Sequence, residues 1–127
     1  MSTSRLGAAA FLAIVTASIP LAARASPQAV TIAVDSYKFA PNPILLKAGQ
    51  PVTLTFVNKG GHGHDFTAKE FFAASSIASG AAPGGKIELG GNETKSITLS
   101  PRAGTYPAHC SHFLHSSWGM TAQIVVN

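Results

Sequence analysis

Apolar residues recur at every second position in short runs, and each run is cut off by glycine, proline or asparagine before it reaches helical length. Val52, Leu54 and Phe56 alternate with Thr53 and Thr55, Val30, Ile32 and Val34 with Thr31 and Ala33, and Ile97 and Leu99 with Ser96, Thr98 and Ser100. A period of two marks strands that bury one face. The interruptions are Pro41-Asn42-Pro43, Asn58-Lys59-Gly60-Gly61, Gly90-Gly91-Asn92 and Pro101–Gly104, all of turn-forming composition. Ile44 and Leu46, Ile87 and Leu89, Tyr106 to Cys110 and Met120 to Val126 supply further strands. Gly63-His64-Asp65 falls in a loop after the Val52 run, and Ala68–Ser79 is the helix-like stretch, with Phe71 and Phe72 turned inward. The expected fold is an all-β, Greek-key β-sandwich of seven or eight strands with one short helical connection.

The chain has 127 residues, 46% of them hydrophobic and 11% charged, which is room for one domain and argues against disorder or a coiled coil. Its beginning is of another kind. Arg5 precedes an apolar run from Leu6 to Ala23, and Ala23-Arg24-Ala25 has the small-x-small form of a cleavage site before Ser26. A signal peptide is expected over 1–25 and a folded domain over 26–127, exported to the periplasm. The apolar run is broken by Thr16, Ser18 and Pro20 and is short for a bilayer span, so no stable membrane insertion is expected after cleavage. The formal charge of +4 loses Arg5 and Arg24 with that segment, and the remaining Lys and Arg are scattered. Nucleic acid is therefore not an expected partner.

Export gives the single cysteine a meaning. Cys110 has no intrachain disulfide partner, and in an oxidising compartment such a thiol is buried, paired between chains or bound to a metal. Its surroundings read Tyr106-Pro107-Ala108-His109-Cys110-Ser111-His112-Phe113-Leu114-His115-Ser116-Ser117-Trp118-Gly119-Met120. One short connection between two strands thus carries a thiol, imidazoles and a thioether. Soft Cys and Met together with His suit copper, and a Cys and two His in a plane with a weak axial Met form the ligand set of a blue-copper electron-transfer centre. Zinc would call for more carboxylates or thiolates. The loop provides one equatorial histidine, so the second comes from elsewhere, with His64 the candidate.

The spacing Cys110-x4-His115-x4-Met120, together with Gly63-His64-Asp65, resembles the cupredoxin family, the small blue copper proteins such as azurin, rusticyanin and plastocyanin. The likeness extends over the strand order of the domain, and its ligand spacing is similar to the longer loops of rusticyanin. It implies one type 1 copper per chain, with His64, Cys110 and His115 as equatorial ligands and Met120 as the axial one. It implies supporting roles too: the Gly63 carbonyl opposite Met120, Asp65 tying the two ligand loops together through Ser111, and the Asp65 backbone N–H donating to the Cys110 sulfur. Phe113, Leu114 and Trp118 would ring the His115 edge as an apolar port for electrons. Redox proteins are the implied partners, and the carrier is expected to be a monomer.

Three more histidines, His62, His109 and His112, lie near these positions. His112 competes with His115 for the ligand role, although Cys-x-His is not a recognised type 1 spacing. His109-Cys110 and His62-Gly63-His64 also look like steps by which copper oxidases and nitrite reductases build a second copper site. Ser111 stands where multicopper oxidases place a histidine, and five His in total are too few for a trinuclear cluster. Nucleophile elbows, phosphate-cradling loops and paired-carboxylate patterns are absent from the sequence. An electron carrier is the leading expectation, with an exported copper-trafficking or metal-uptake accessory module as the alternative.

Overall fold

The computed structural model describes residues 2–3, 7–19, 26–35, 37–112 and 119–127. Among the described residues, ten strands form two five-stranded sheets. They are β1 (Gln28–Asp35), β2 (Lys38–Ala40), β3 (Ile44–Leu46), β4 (Val52–Asn58), β5 (His64–Thr67), β6 (Ser76–Ser79), β7 (Lys86–Leu89), β8 (Thr94–Ser100), β9 (Gly104–His109) and β10 (Thr121–Val126). One sheet runs β2-β1-β4-β8-β6 and the other β3-β10-β9-β5-β7. β1 lies parallel to β4 and β10 parallel to β3, and the remaining pairs are antiparallel. This is the β-sandwich that the alternating runs require.

The core forms where the inward phases of the two sheets meet. β4 turns Val52, Leu54 and Phe56 inward, β8 Ile97 and Leu99, and β10 Ala122, Ile124 and Val126. Phe66 on β5 is at the centre of an aromatic cluster, with ring centroids 4.8 Å from Phe56, 5.2 Å from Phe39 and 6.3 Å from Phe72. Each of these rings contributes about 1.5–3 kcal/mol on burial. Cys110 and Met120 lie within this same core.

Three elements depart from the sequence expectation, which gave seven or eight strands. The helix α1 covers Lys69–Ala74 and ends at Ser75, whose hydroxyl donates to the Phe71 carbonyl at 2.7 Å. Phe71 and Phe72 are buried as expected. The rest of the helix-like stretch is the edge strand β6, exposed at all four positions and so without any alternation to reveal it. The histidine-bearing loop after β4 becomes strand β5 at His64, where all four residues are buried and alternation is again lost. β2 has three residues, of which Phe39 faces inward.

The turn that leads into β5 is held by Asn58, the last inward position of β4. Its buried side chain donates to the His62 carbonyl at 2.8 Å and the Gly90 carbonyl at 2.9 Å, and accepts the Gly60 N–H at 3.0 Å. The two loops touch closely here. A Cβ on Gly91 would lie 2.5 Å from the Gly61 carbonyl oxygen, so glycine is required at that position.

Candidate metal centre

Adjacent antiparallel strands bring Cys110 and Met120 together. β9 and β10 pair from Gly104↔Val126 to His109↔Thr121, so the residues just beyond the ladder, Cys110 and Met120, meet at its end. The Cys110 N–H donates to the Met120 carbonyl at 3.1 Å, extending the ladder by one bond. Both side chains are fully buried. Tyr106 and Ala108 share the inward phase of β9 with Cys110, whereas His109 falls on the opposite, exposed phase.

β5 supplies the other half of the site. His64 is 5% exposed and stands opposite Leu89 of β7, and Asp65 behind it is completely buried. Successive residues of a strand point to opposite faces, so His64 and Phe66 turn to the core while Asp65 and Thr67 turn to the other face, where Asp65 meets Ser111. The Asp65 backbone N–H points at the Cys110 sulfur at 3.5 Å. Its carboxylate accepts the Ser111 N–H at 2.8 Å, the Thr67 hydroxyl at 2.7 Å and the Ser111 hydroxyl. Asp65 therefore joins the His64 strand to Ser111, the residue after Cys110.

These contacts decide the charge state of both groups. Burial pushes the Asp65 carboxyl up, but the Ser111 hydroxyl and N–H, the Thr67 hydroxyl and the Lys86 ammonium together hold it below its ordinary value. Burial pushes the Cys110 thiol up, against the Asp65 and His112 peptide N–H groups that favour the thiolate, and the Asp65 and Glu88 carboxylates push it further. A cation against the sulfur would favour the thiolate here. A thiol, a thioether and an imidazole are donors that fit a soft metal such as copper, and the Asp65 N–H is placed to orient the Cys110 sulfur.

Of the other residues singled out in the sequence, Gly63 directly precedes β5, and a Cβ there would lie 3.4 Å from the His112 ring and 3.6 Å from the Leu89 carbonyl oxygen. The His112 ring centroid is 6.5 Å from that of His64. His62, His64 and His112 line one cleft together with Asp35, Tyr37, Gly60 and Gly63. His115 and the apolar residues Phe113, Leu114 and Trp118 lie outside the described residues.

Sequence reasoning missed three residues of this neighbourhood. Tyr37 stands edge-on to His64 with ring centroids 6.3 Å apart, and no periodicity points to it. Asn58 could have been found, since it continues the 52, 54, 56 inward phase as a polar residue in a core position. Glu88, 2.7 Å from His112 Nε2, becomes visible only through the β5–β7 register.

The chain matches the family model of the cupredoxin-like domain over residues 7–126, a match that begins within the segment expected to be a signal peptide. No curated protein sequence gives a significant match. Among solved structures, auracyanin B is similar, with a TM-score of 0.60 and 21% identity over 81% of this chain and 91% of its own. The Na-dithionite-reduced auracyanin from the photosynthetic bacterium Roseiflexus castenholzii has a TM-score of 0.62 and 20% identity over 81% of this chain and 99% of its own. Auracyanin A, a "blue" copper protein from the green thermophilic photosynthetic bacterium Chloroflexus aurantiacus, has a TM-score of 0.58 and 21% identity over 80% of this chain and 100% of its own. At such identities the likeness is one of fold, and the family match covers nearly the whole sequence: the chain belongs to the cupredoxin-like domain family.

Proposed function

We propose that this protein is an exported type 1 copper protein that carries single electrons between redox partner proteins. His64, Cys110, His115 and Met120 would hold one copper ion, with the Gly63 carbonyl as a weak further contact. The observation that carries the reading is the placement of the Cys110 sulfur: fully buried, beside Met120 at the end of one ladder, and facing the N–H of the residue that follows His64. Bound there, copper supplies a one-electron couple. The protein's own part is to keep the ligands still while charge changes. Asp65, Ser111 and Thr67 fix the two ligand segments to each other, the core packs around Cys110 and Met120, and the Asp65 N–H stabilises negative charge on the sulfur.

No helix among the described residues is long and apolar enough to cross a membrane. With residues 1–25 read as a signal peptide, the periplasm is the proposed location, with a monomer as the working state.

The test is a Cu(II) titration of the purified protein, followed by visible absorption and electron paramagnetic resonance, with Cys110→Ala alongside. An intense thiolate-to-copper band that saturates at one equivalent, with small copper hyperfine splitting, supports the reading when the variant loses both. A pale spectrum indifferent to Cys110 overturns it.

A second reading, a copper-trafficking or metal-uptake accessory module, is favoured by the cleft that gathers His62, His64 and His112. Rapid transfer of copper to a chelator without reversible voltammetry would select it over the electron carrier.

A further inference from the structure

On the outer face of β5, two carboxylates and an imidazole converge. Asp65 stands directly opposite Glu88 of β7, and like charges facing each other across a ladder repel. His112, two residues past Cys110, reaches the same spot from the β9–β10 connection. Its Nε2 is 2.7 Å from Glu88 Oε1 and 3.6 Å from Asp65 Oδ2. One ligand atom from each of the three lies within 4.8 Å of the other two.

We infer that Asp65, Glu88 and His112 form a second metal site, apart from the thiol ligand, for a borderline divalent cation such as Zn²⁺. One imidazole nitrogen and two carboxylate oxygens are a zinc ligand set, with bonds of about 2.0–2.2 Å that need only small side-chain shifts. The three residues come from three chain segments whose spacing the sheet register sets. Asp65 is rigid, tied down by Ser111 and Thr67. Glu88 is 54% exposed and His112 32% exposed, so both have freedom to adjust and water can complete the coordination. Lys86 lies 4.0 Å from Asp65 Oδ2 and is 39% exposed, so its flexible stem can swing its charge away when a cation arrives. With no sulfur donor, this site selects a harder ion than the Cys110 and Met120 pair does, and softness sorts two metals between two neighbouring sites.

Isothermal titration of zinc chloride into the copper-loaded protein tests this, with copper content measured in the same samples. One equivalent of zinc is expected to bind. His112→Ala and Glu88→Gln should each weaken that binding at least tenfold, and His109→Ala should leave it unchanged. Both altered side chains are partly exposed, and the His112 peptide N–H survives its substitution, so circular dichroism should show folded variants. Absence of zinc uptake by the copper-loaded protein overturns the site. So does uptake that His112→Ala retains, which would mean an adventitious ion only. Should the protein take up no copper, the metal-free protein and its His112→Ala variant are compared instead: loss of one zinc equivalent supports the site, and equal stoichiometry overturns it.

Discussion

The Asp65 carboxylate accepts the Ser111 N–H at 2.8 Å across 46 residues of sequence. It also takes the Ser111 and Thr67 hydroxyls, so one buried anion satisfies three donors from two strands' ends. Asp65→Ala would leave the buried Thr67 hydroxyl and the partly buried Ser111 donors without this acceptor. The expected loss is about 2–4 kcal/mol, read from urea unfolding of the metal-free protein. Asp65→Asn keeps one acceptor oxygen and should lose less.

Acid should expose the same residue. The folded-state pKa of Asp65 lies below its ordinary 3.8, so its ionised form contributes stability that is present above the unfolded pKa and lost as pH falls through the folded one. The stability difference between wild type and Asp65→Asn should therefore be constant from neutral pH down to about pH 5 and shrink below about pH 4. Thermal unfolding of the metal-free proteins at a series of pH values measures it. A difference that grows on acidification would contradict the arrangement.

Asn58 offers a test of the loop that delivers His64. Asn58→Ala removes two donors and one acceptor from partly buried backbone groups of three residues, His62, Gly90 and Gly60. A loss of about 1–3 kcal/mol is expected. Asn58→Asp should be worse still, since a carboxylate would face two carbonyl oxygens. Denaturant midpoints of the pair give the order.

Met120 separates packing from ligation. It is fully buried in the core, and Met120→Leu conserves volume, so the stability of the metal-free protein should fall by less than about 1.5 kcal/mol. With Met120 in the proposed ligand set, its replacement should nevertheless shift the reduction potential of the copper-loaded protein and alter its visible spectrum. Voltammetry beside thermal unfolding distinguishes the two roles. An unchanged potential and spectrum would remove Met120 from the ligand set.

The legible part of this protein is the part where burial alternates. β4 shows Val52, Leu54 and Phe56 inward against partly exposed threonines, and the sandwich could be read from it and its like. β5 and β6 fail in opposite ways: one is covered on both faces, the other exposed on both, and neither carries a period. Cys110, Met120 and His64 could be singled out because their chemistry is unusual whatever the backbone does. The contacts of Asp65 with Ser111 and Cys110 were legible through resemblance alone, since residues 46 and 45 positions away meet by sheet pairing. Glu88 was not legible, because an exposed glutamate on a short strand has no feature until its cross-strand partner is known. The ring expected from Phe113, Leu114 and Trp118 around His115 falls outside the described residues.

The complete burial of β5 makes its alignment self-checking. A slip of one residue would thrust Asp65 and Thr67 among the Phe39, Phe56 and Phe72 rings and turn Phe66 toward the Ser111 donors, an exchange unfavourable on both sides at once. The two faces of four residues thus proofread each other. The N–H aimed at the Cys110 sulfur arrives in place because the aromatic core accepts no other alignment.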